Sequence, residues 1–262
     1  IMQVNKLFER ILTSGLRCQT TKTHVATKEI SLLGHHLSDK GLRPCPHKVK
    51  AVAKMEHPKD LKGTRSLMGA LSWFRRFIPR FSRRTTNLRA LLKHGIKHVW
   101  TEACQQEFDD IKDILTSAPL VCNPDPNRMT YVATDGSKHG LGGMVYQLGD
   151  DPEDIRVIGY YSRATTSAEK GYDARNLETL ALLATITYYR AFIPTKFTAI
   201  VDHMGLLNLK DYVKHQTRLS SWSNRLSCWD PIIEHIAGSK HVVADWLSRS
   251  PIGQSTAPVI NT

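Results

Sequence analysis

The sequence predicts an α/β fold: a mixed five-stranded sheet flanked by helices, preceded by a smaller, mostly helical α+β part. Three observations carry that prediction. Residues 129–161 hold three apolar runs separated by turn-forming or acidic stretches, the pattern of strands paired in sequence order. From 174 to 249, helix-like and strand-like patterns alternate, an order that builds one sheet with helices on its faces. Before them, residues 47–117 repeat apolar positions at helical spacing.

Size and charge bound what such a chain does. Its 262 residues, 41% of them apolar, suffice for two units with real cores. The net charge of +12 is unevenly placed: residues 1–128 carry 23 Lys and Arg against 11 Asp and Glu, while residues 129–262 carry 13 of each. A basic half beside a neutral half predicts a part that holds a polyanion joined to a part with another task. Five scattered cysteines (Cys18, Cys45, Cys104, Cys122 and Cys228) lack any paired spacing. That pattern argues against a disulfide scaffold or zinc ribbon and fits a reducing compartment. No apolar run reaches membrane-spanning length, and no signal-peptide pattern opens the chain. It starts at Ile1 rather than Met, as expected of a piece of something longer.

Taken in order, residues 2–16 predict a helix from the apolar stripe at 4, 7, 8, 11 and 12, with Gly15 as its C-cap. Residues 23–37 read as two short strands closing on the tight Leu33-Gly34-His35, and 38–46 as a loop. Val49, Val52 and Ala53 open a helix that Pro58 closes, and Leu61, Leu67, Met68 and Leu71 mark a second. In 73–84, Phe74, Phe77 and Phe81 share one helical face and read as core. Arg76, Arg80, Arg83 and Arg84 share another, and Pro79 should kink or end the helix. Five arginines within residues 75–84 exceed what solubility needs and predict a phosphate-tracking surface. Residues 99–117 form a further helix capped near Thr101; its Phe108-Asp-Asp-Ile111 puts the apolar residues inward and the two acids in solvent. Pro119, Pro124 and Pro126 mark a linker.

The second unit starts near Met129. Its strands are predicted at 129–135, 140–147, 155–161, 196–202 and 231–237, and its helices near 174–191, 203–210, 215–228 and 241–249. Tyr131-Val-Ala-Thr-Asp135 delivers an acid at the end of an apolar strand, and Gly136 is expected to let the chain turn tightly into the glycine-rich strand after it. Three more acids stand at comparable places. Glu178 lies one position off a helix stripe, Asp202 ends Phe197-Thr-Ala-Ile-Val201, and Asp245 sits in His241-Val-Val-Ala-Asp-Trp-Leu-Ser-Arg249. Singly these are ordinary strand-end and helix-surface acids. Together, four carboxylates repel unless cations neutralise them. All-oxygen donors favour Mg²⁺ or Mn²⁺ over zinc. Two such ions about 4 Å apart can clamp a phosphodiester, one activating water and the other stabilising the leaving oxygen.

The ordered motifs resemble the C-terminal part of a Gypsy-type LTR-retrotransposon Pol polyprotein. Thr134-Asp-Gly-Ser137, Tyr160-Tyr-Ser-Arg163, Ala168-Glu-Lys170, Tyr172, Glu178-Thr-Leu-Ala181, Val201-Asp-His203 and 242–249 resemble its RNase H segment. Leu33-Gly-His35 with Gly41-Leu-Arg-Pro44 resembles the primer-holding hairpin, and 67–79 the thumb helices. Val99-Trp-Thr-Glu102, Cys104, Phe108 and Ser117-Ala-Pro119 resemble the segment that joins thumb to RNase H.

That resemblance implies a reverse-transcriptase palm remnant at 1–45, a helical thumb at 46–98, a connecting helix and linker at 99–128, an RNase H-like domain at 129–250 and a flexible tail at 251–262. It implies cleavage of the RNA strand of RNA–DNA hybrids with two Mg²⁺ ions, Mn²⁺ substituting, held by Asp135, Glu178, Asp202 and Asp245, with Asp135 bridging both. Gly34, His35, Arg75, Arg76, Arg80, Arg83 and Arg84 would contact the hybrid or a primer–template duplex. His235 or His241 would stand where cellular relatives carry a turnover-assisting His, and Asn176 replaces a Glu often found two residues before the catalytic one. The polymerising Asp-Asp pair would precede Ile1, so the rest of a Pol polyprotein (palm, fingers and integrase) would be the partner. The setting would be intracellular, in a cytoplasmic particle or the nucleus. The alternative is a domesticated remnant that binds nucleic acid without cutting it; the presence of all four acids favours the nuclease.

Overall fold

The computed structural model describes residues 2–19, 21, 23–117, 121–151, 154–202 and 218–235. Among the described residues, the buried apolar side chains form one cluster within 52–121 and three within 132–226. The first unit opens with α1 (Met2–Thr13). Leu16 N–H bonds Ile11 O at 3.2 Å and Gly15 N–H bonds Leu12 O at 3.1 Å, with Gly15 at φ 77°, a Schellman ending of the kind its glycine predicts.

A three-stranded antiparallel sheet follows: β1 (Ile30–Leu32), β2 (His35–Ser38) and β3 (Gly41–Pro44). Leu33 at φ 49° and Gly34 at φ 81° make the two-residue turn between β1 and β2, whose twist matches that of the strands. The loop expected at 38–46 instead contains β3. It pairs with β2 from His35 opposite Pro44 to Ser38 opposite Gly41, and on its other edge Leu42 and Val121 exchange hydrogen bonds of 2.6 and 2.9 Å. No local pattern signals the contact with Val121.

Helices α2 (Pro46–Ala53), α3 (Leu61–Trp73), α4 (Phe81–Arg84), α5 (Thr86–Ala90) and α6 (Glu102–Thr116) complete this unit. Asp60 caps α3 by accepting from Gly63 N–H at 2.6 Å, and Thr101 caps α6 by accepting from Cys104 N–H at 3.3 Å. The basic stretch is not one helix: α3 ends before Pro79 and a single 3₁₀ turn spans Arg75–Phe77. Phe74, Phe77 and Phe81 are nonetheless all core, packed with Leu71, Phe108 and Ile111. Each contributes about 1.5–3 kcal/mol by leaving water. α6 puts Asp109 outside and Phe108, Ile111 and Leu115 inside, as the periodicity predicts, but Asp110, expected in solvent, is half-buried, and that burial raises its pKa.

The second unit is a five-stranded mixed sheet: β4 (Thr130–Ser137), β5 (Gly140–Leu148), β6 (Ile155–Arg163), β7 (Lys196–Val201) and β8 (Asp230–His235), in the order β6-β5-β4-β7-β8. β4, β5 and β6 pair antiparallel; β7 runs parallel to β4, and β8 parallel to β7. Helix α7 (Ala174–Tyr188) packs Leu182, Leu183 and Ile186 against Val132, Val145 and Ile158. Glycines let it lie close. A Cβ on Gly143 would come within 2.2 Å of Thr185 Oγ1, and one on Gly159 within 2.3 Å of the Tyr189 hydroxyl. That hydroxyl donates to Tyr160 O at 2.8 Å. Helix α8 (Arg218–Leu226) adds Leu226 to the same core. The helices expected near 203–210 and 241–249, and the tail at 251–262, lie outside the described residues. No helix among the described residues is long and apolar enough to cross a membrane.

Candidate active site

Topology places two acids side by side. Central strands β4 and β7 run parallel in register, with Ala133 opposite Ile200. Asp135 and Asp202 each lie two residues further on. Both therefore share one end of the sheet and, by the two-residue strand period, one face. The third acid, Glu178, comes from the second turn of α7. Asp173 fixes where that helix starts by accepting from Asn176 N–H at 2.7 Å, and the Asn176 amide returns to Asp173 at 3.0 Å. Asn176 thus serves the cap.

Gly136 joins strand to helix, but not for the reason the sequence suggests. β4 continues through Ser137, and the turn falls at Lys138 and His139. A Cβ on Gly136 would lie 2.3 Å from Leu177 O and 2.7 Å from Glu178 N. Only glycine lets the strand pass the helix backbone at that distance. Its N–H then donates to Glu178 Oε1 at 3.1 Å.

Glu178 is 8% exposed, and its Oε2 is buried without a hydrogen-bond partner among the described residues. Burial is the main cause that pushes its pKa up to about 8; the negative charges of Asp135 and Asp202 push the same way, against the Gly136 N–H and Arg80. A buried carboxylate with one orphaned oxygen, next to two more carboxylates, is short of positive charge. The donors are all hard oxygens, so the residues present fit a divalent cation such as Mg²⁺. Among the described residues, no group of three or more His, Cys, Asp or Glu side chains is placed so as to hold a metal ion by itself. Asp135 is instead ion-paired with Arg80 Nη2. His235, at the end of β8, sets its Nε2 3.1 Å from Asp202 O. Asp245 and His241 lie outside the described residues. A cleft of about 490 Å³ opens beside Asp135, lined by Gly136, Ser137, Lys138, Tyr172 and Leu177.

The arginines do not form the single exposed stripe expected of them. Arg83 is exposed, but Arg75, Arg76, Arg80 and Arg84 are half-buried. Arg76 reaches Ile158 O at 3.5 Å and lies over Phe192 at 5.9 Å, so this segment packs on the second unit. Ser82 N–H and Oγ meet Ser162 Oγ at 3.0 and 2.8 Å. Gly34 and His35 belong to the hairpin of the first unit, where the His35 ring packs on Trp73 and Phe77 at 5.4 and 5.7 Å. Burial lowers the His35 pKa, with Arg76 adding to it. Sequence reasoning missed the Arg80–Asp135 and Ser82–Ser162 contacts; partners 55 and 80 residues apart leave no local signal.

The sheet order, the covering helix and the acids at the ends of its parallel central strands define an RNase H-like α/β domain. Residues 100–199 match the family described as an RNase H-like domain found in reverse transcriptase. Over 264 aligned residues the chain is 27% identical to the Transposon Tf2-3 polyprotein of Schizosaccharomyces pombe, and equally to the Tf2-4 polyprotein. The alignment takes in 99% of this chain but 20% of either polyprotein, so the chain spans about a fifth of their length. Among solved structures, the foamy viral protease-reverse transcriptase in complex with RNA/DNA hybrid is similar with a TM-score of 0.69 at 16% identity, over 100% of this chain and 36% of that one. The same viral protein in complex with dsDNA gives 0.66 at 18% identity, over 90% and 50%. These likenesses are of fold.

Proposed function

We propose that this chain is part of a retrotransposon reverse transcriptase whose RNase H-like domain cleaves the RNA strand of RNA–DNA hybrids, while its basic N-terminal part holds the duplex as a thumb. The observation that carries this reading is the buried, half-satisfied Glu178 beside Asp135 and Asp202. Asp135, Glu178, Asp202 and Asp245 would hold the Mg²⁺ or Mn²⁺ ions, which would activate water and stabilise the leaving oxygen. The protein's own work is then positional. Gly136 fixes Glu178 against β4, the in-register strands fix Asp135 beside Asp202, and Lys138 at the cleft offers a cation to a phosphate. Choice of the RNA strand would rest on 2′-hydroxyl contacts and hybrid shape. Polymerisation would fall to the palm and fingers of a parent polyprotein.

Cleavage of an end-labelled hybrid in Mg²⁺, with Ca²⁺ as control, tests this. Asp135→Asn and Asp202→Asn should each cut at least about 100-fold more slowly, the loss of several kcal/mol of charge stabilisation. Variants as fast as the parent would remove the catalytic assignment.

A further inference from the structure

Arg80 brings a guanidinium from the first unit onto the carboxylate of Asp135. Its side chain is 13% exposed against 38% for that of Asp135, so the contact is shielded from solvent on the arginine side and open to it on the other. The backbone is shaped for it. Arg80 sits in the left-handed region at φ 50°, ψ 37°, which costs a non-glycine residue about 1 kcal/mol or more. That conformation is braced on both sides. Arg84 Nε donates to Pro79 O at 3.1 Å, and the N–H groups of Arg83 and Arg84 donate to Arg80 O at 2.9 and 3.1 Å. Two residues on, Ser82 is fastened to Ser162 on β6.

A carboxylate oxygen engaged by a guanidinium is occupied in the direction a cation would take. Arg80 therefore meets, with one fixed positive charge, part of the demand the acidic site would otherwise put on a metal. A guanidinium fork also suits phosphate as well as it suits carboxylate. Resting on the nuclease reading above, we propose that Arg80 is a built-in counter-ion that latches Asp135 in the free protein. It is displaced when a divalent cation enters, and a backbone phosphate of the bound hybrid becomes its new partner. Metal loading and substrate binding are thereby coupled, and the unloaded site is held closed. Arg80 acts through Asp135 and is a positioning residue.

Mn²⁺ binding to the full chain, followed by calorimetry without nucleic acid, tests the latch apart from activity. Arg80→Asn removes the guanidinium while keeping a residue that tolerates the left-handed region. Arg80→Gly, which has no strain there, serves as the second variant. Both should tighten Mn²⁺ binding about tenfold, the loss of one charge-assisted contact competing with the ion. Arg83→Asn removes equal charge from an exposed neighbour and should change the affinity less than about twofold, since exposed charges are screened. Asp135→Asn should abolish the tight site. If the Arg80 variants bind Mn²⁺ no more tightly, or Arg83→Asn tightens it equally, the latch is wrong while the nuclease reading stands. If no variant shows Mn²⁺ binding that depends on Asp135, both fall.

Discussion

Glu178 carries the site's electrostatic cost on a single side chain. Burial raises its folded pKa to about 8 from an ordinary 4.5. Between those values the folded chain keeps a proton that the unfolded chain has released, so stability falls as pH rises through that window. Below about pH 4.5 both states are protonated and the residue contributes no slope. Metal-free denaturant melts at pH 5 and pH 8 should thus differ, by about 3 kcal/mol from this residue. Glu178→Gln keeps the shape of the neutral acid and should flatten the difference. Mg²⁺ at pH 8 should recover much of it in the parent, because an ion that binds only the folded state stabilises it. A parent whose stability is level across this window would remove the case for a charge-starved carboxylate.

At the scale of elements, the crossing of β4 and α7 positions the acids. Gly136→Ala sets a Cβ against Leu177 O and Glu178 N, backbone atoms with no rotamer to yield. The helix has to shift, at about 1–3 kcal/mol, and the Gly136–Glu178 hydrogen bond should lengthen or break. Gly171→Ala, whose Cβ meets nothing within 4 Å, should stay within about 0.5 kcal/mol. Thermal melts of the two variants, with hybrid cleavage beside them, measure the difference; equal behaviour would show that the crossing tolerates bulk. This is also where the limits of the sequence are plain. The strand Tyr131–Asp135, the cap at Thr101 and the apolar face of α6 are local patterns, and all were legible. The role of Gly136 and the existence of β3 were not. Gly136 answers to a helix 41 residues later. β3 is held on one side by β2, its neighbour in sequence, and on the other by Val121 across the fold. At Gly136 local pattern gave a turn, and tertiary contact overrode it.

For the whole molecule, the question is how a basic half and a sheet-based half come to act together. The arginine run was legible as charge but not as an interface, because burial of Arg76 and Arg80 depends on the other unit's surface. The linker ties the two halves by main-chain bonds. Val121 pairs with Leu42 in the first unit, and Cys122 N–H donates to Val157 O on β6 at 2.7 Å. Gln147, buried in β5, then clasps the next stretch. Its Oε1 accepts from Asp125 N–H at 2.9 Å, and its Nε2 donates to Asp125 O at 2.9 Å and Arg128 O at 3.3 Å. Arg128 is held in turn by Leu148 O at 3.1 Å and Asp150 at 2.6 Å. Gln147→Leu fills similar space but leaves the Asp125 N–H and two carbonyls without that partner, at about 1–3 kcal/mol. The strap should open before either core does, since it is anchored by few apolar contacts. Limited trypsin digestion should accordingly cut after Arg128 several-fold faster in Gln147→Leu than in the parent. Unchanged cleavage there would mean that the cores alone, docked through residues 75–84, set the arrangement of the two units.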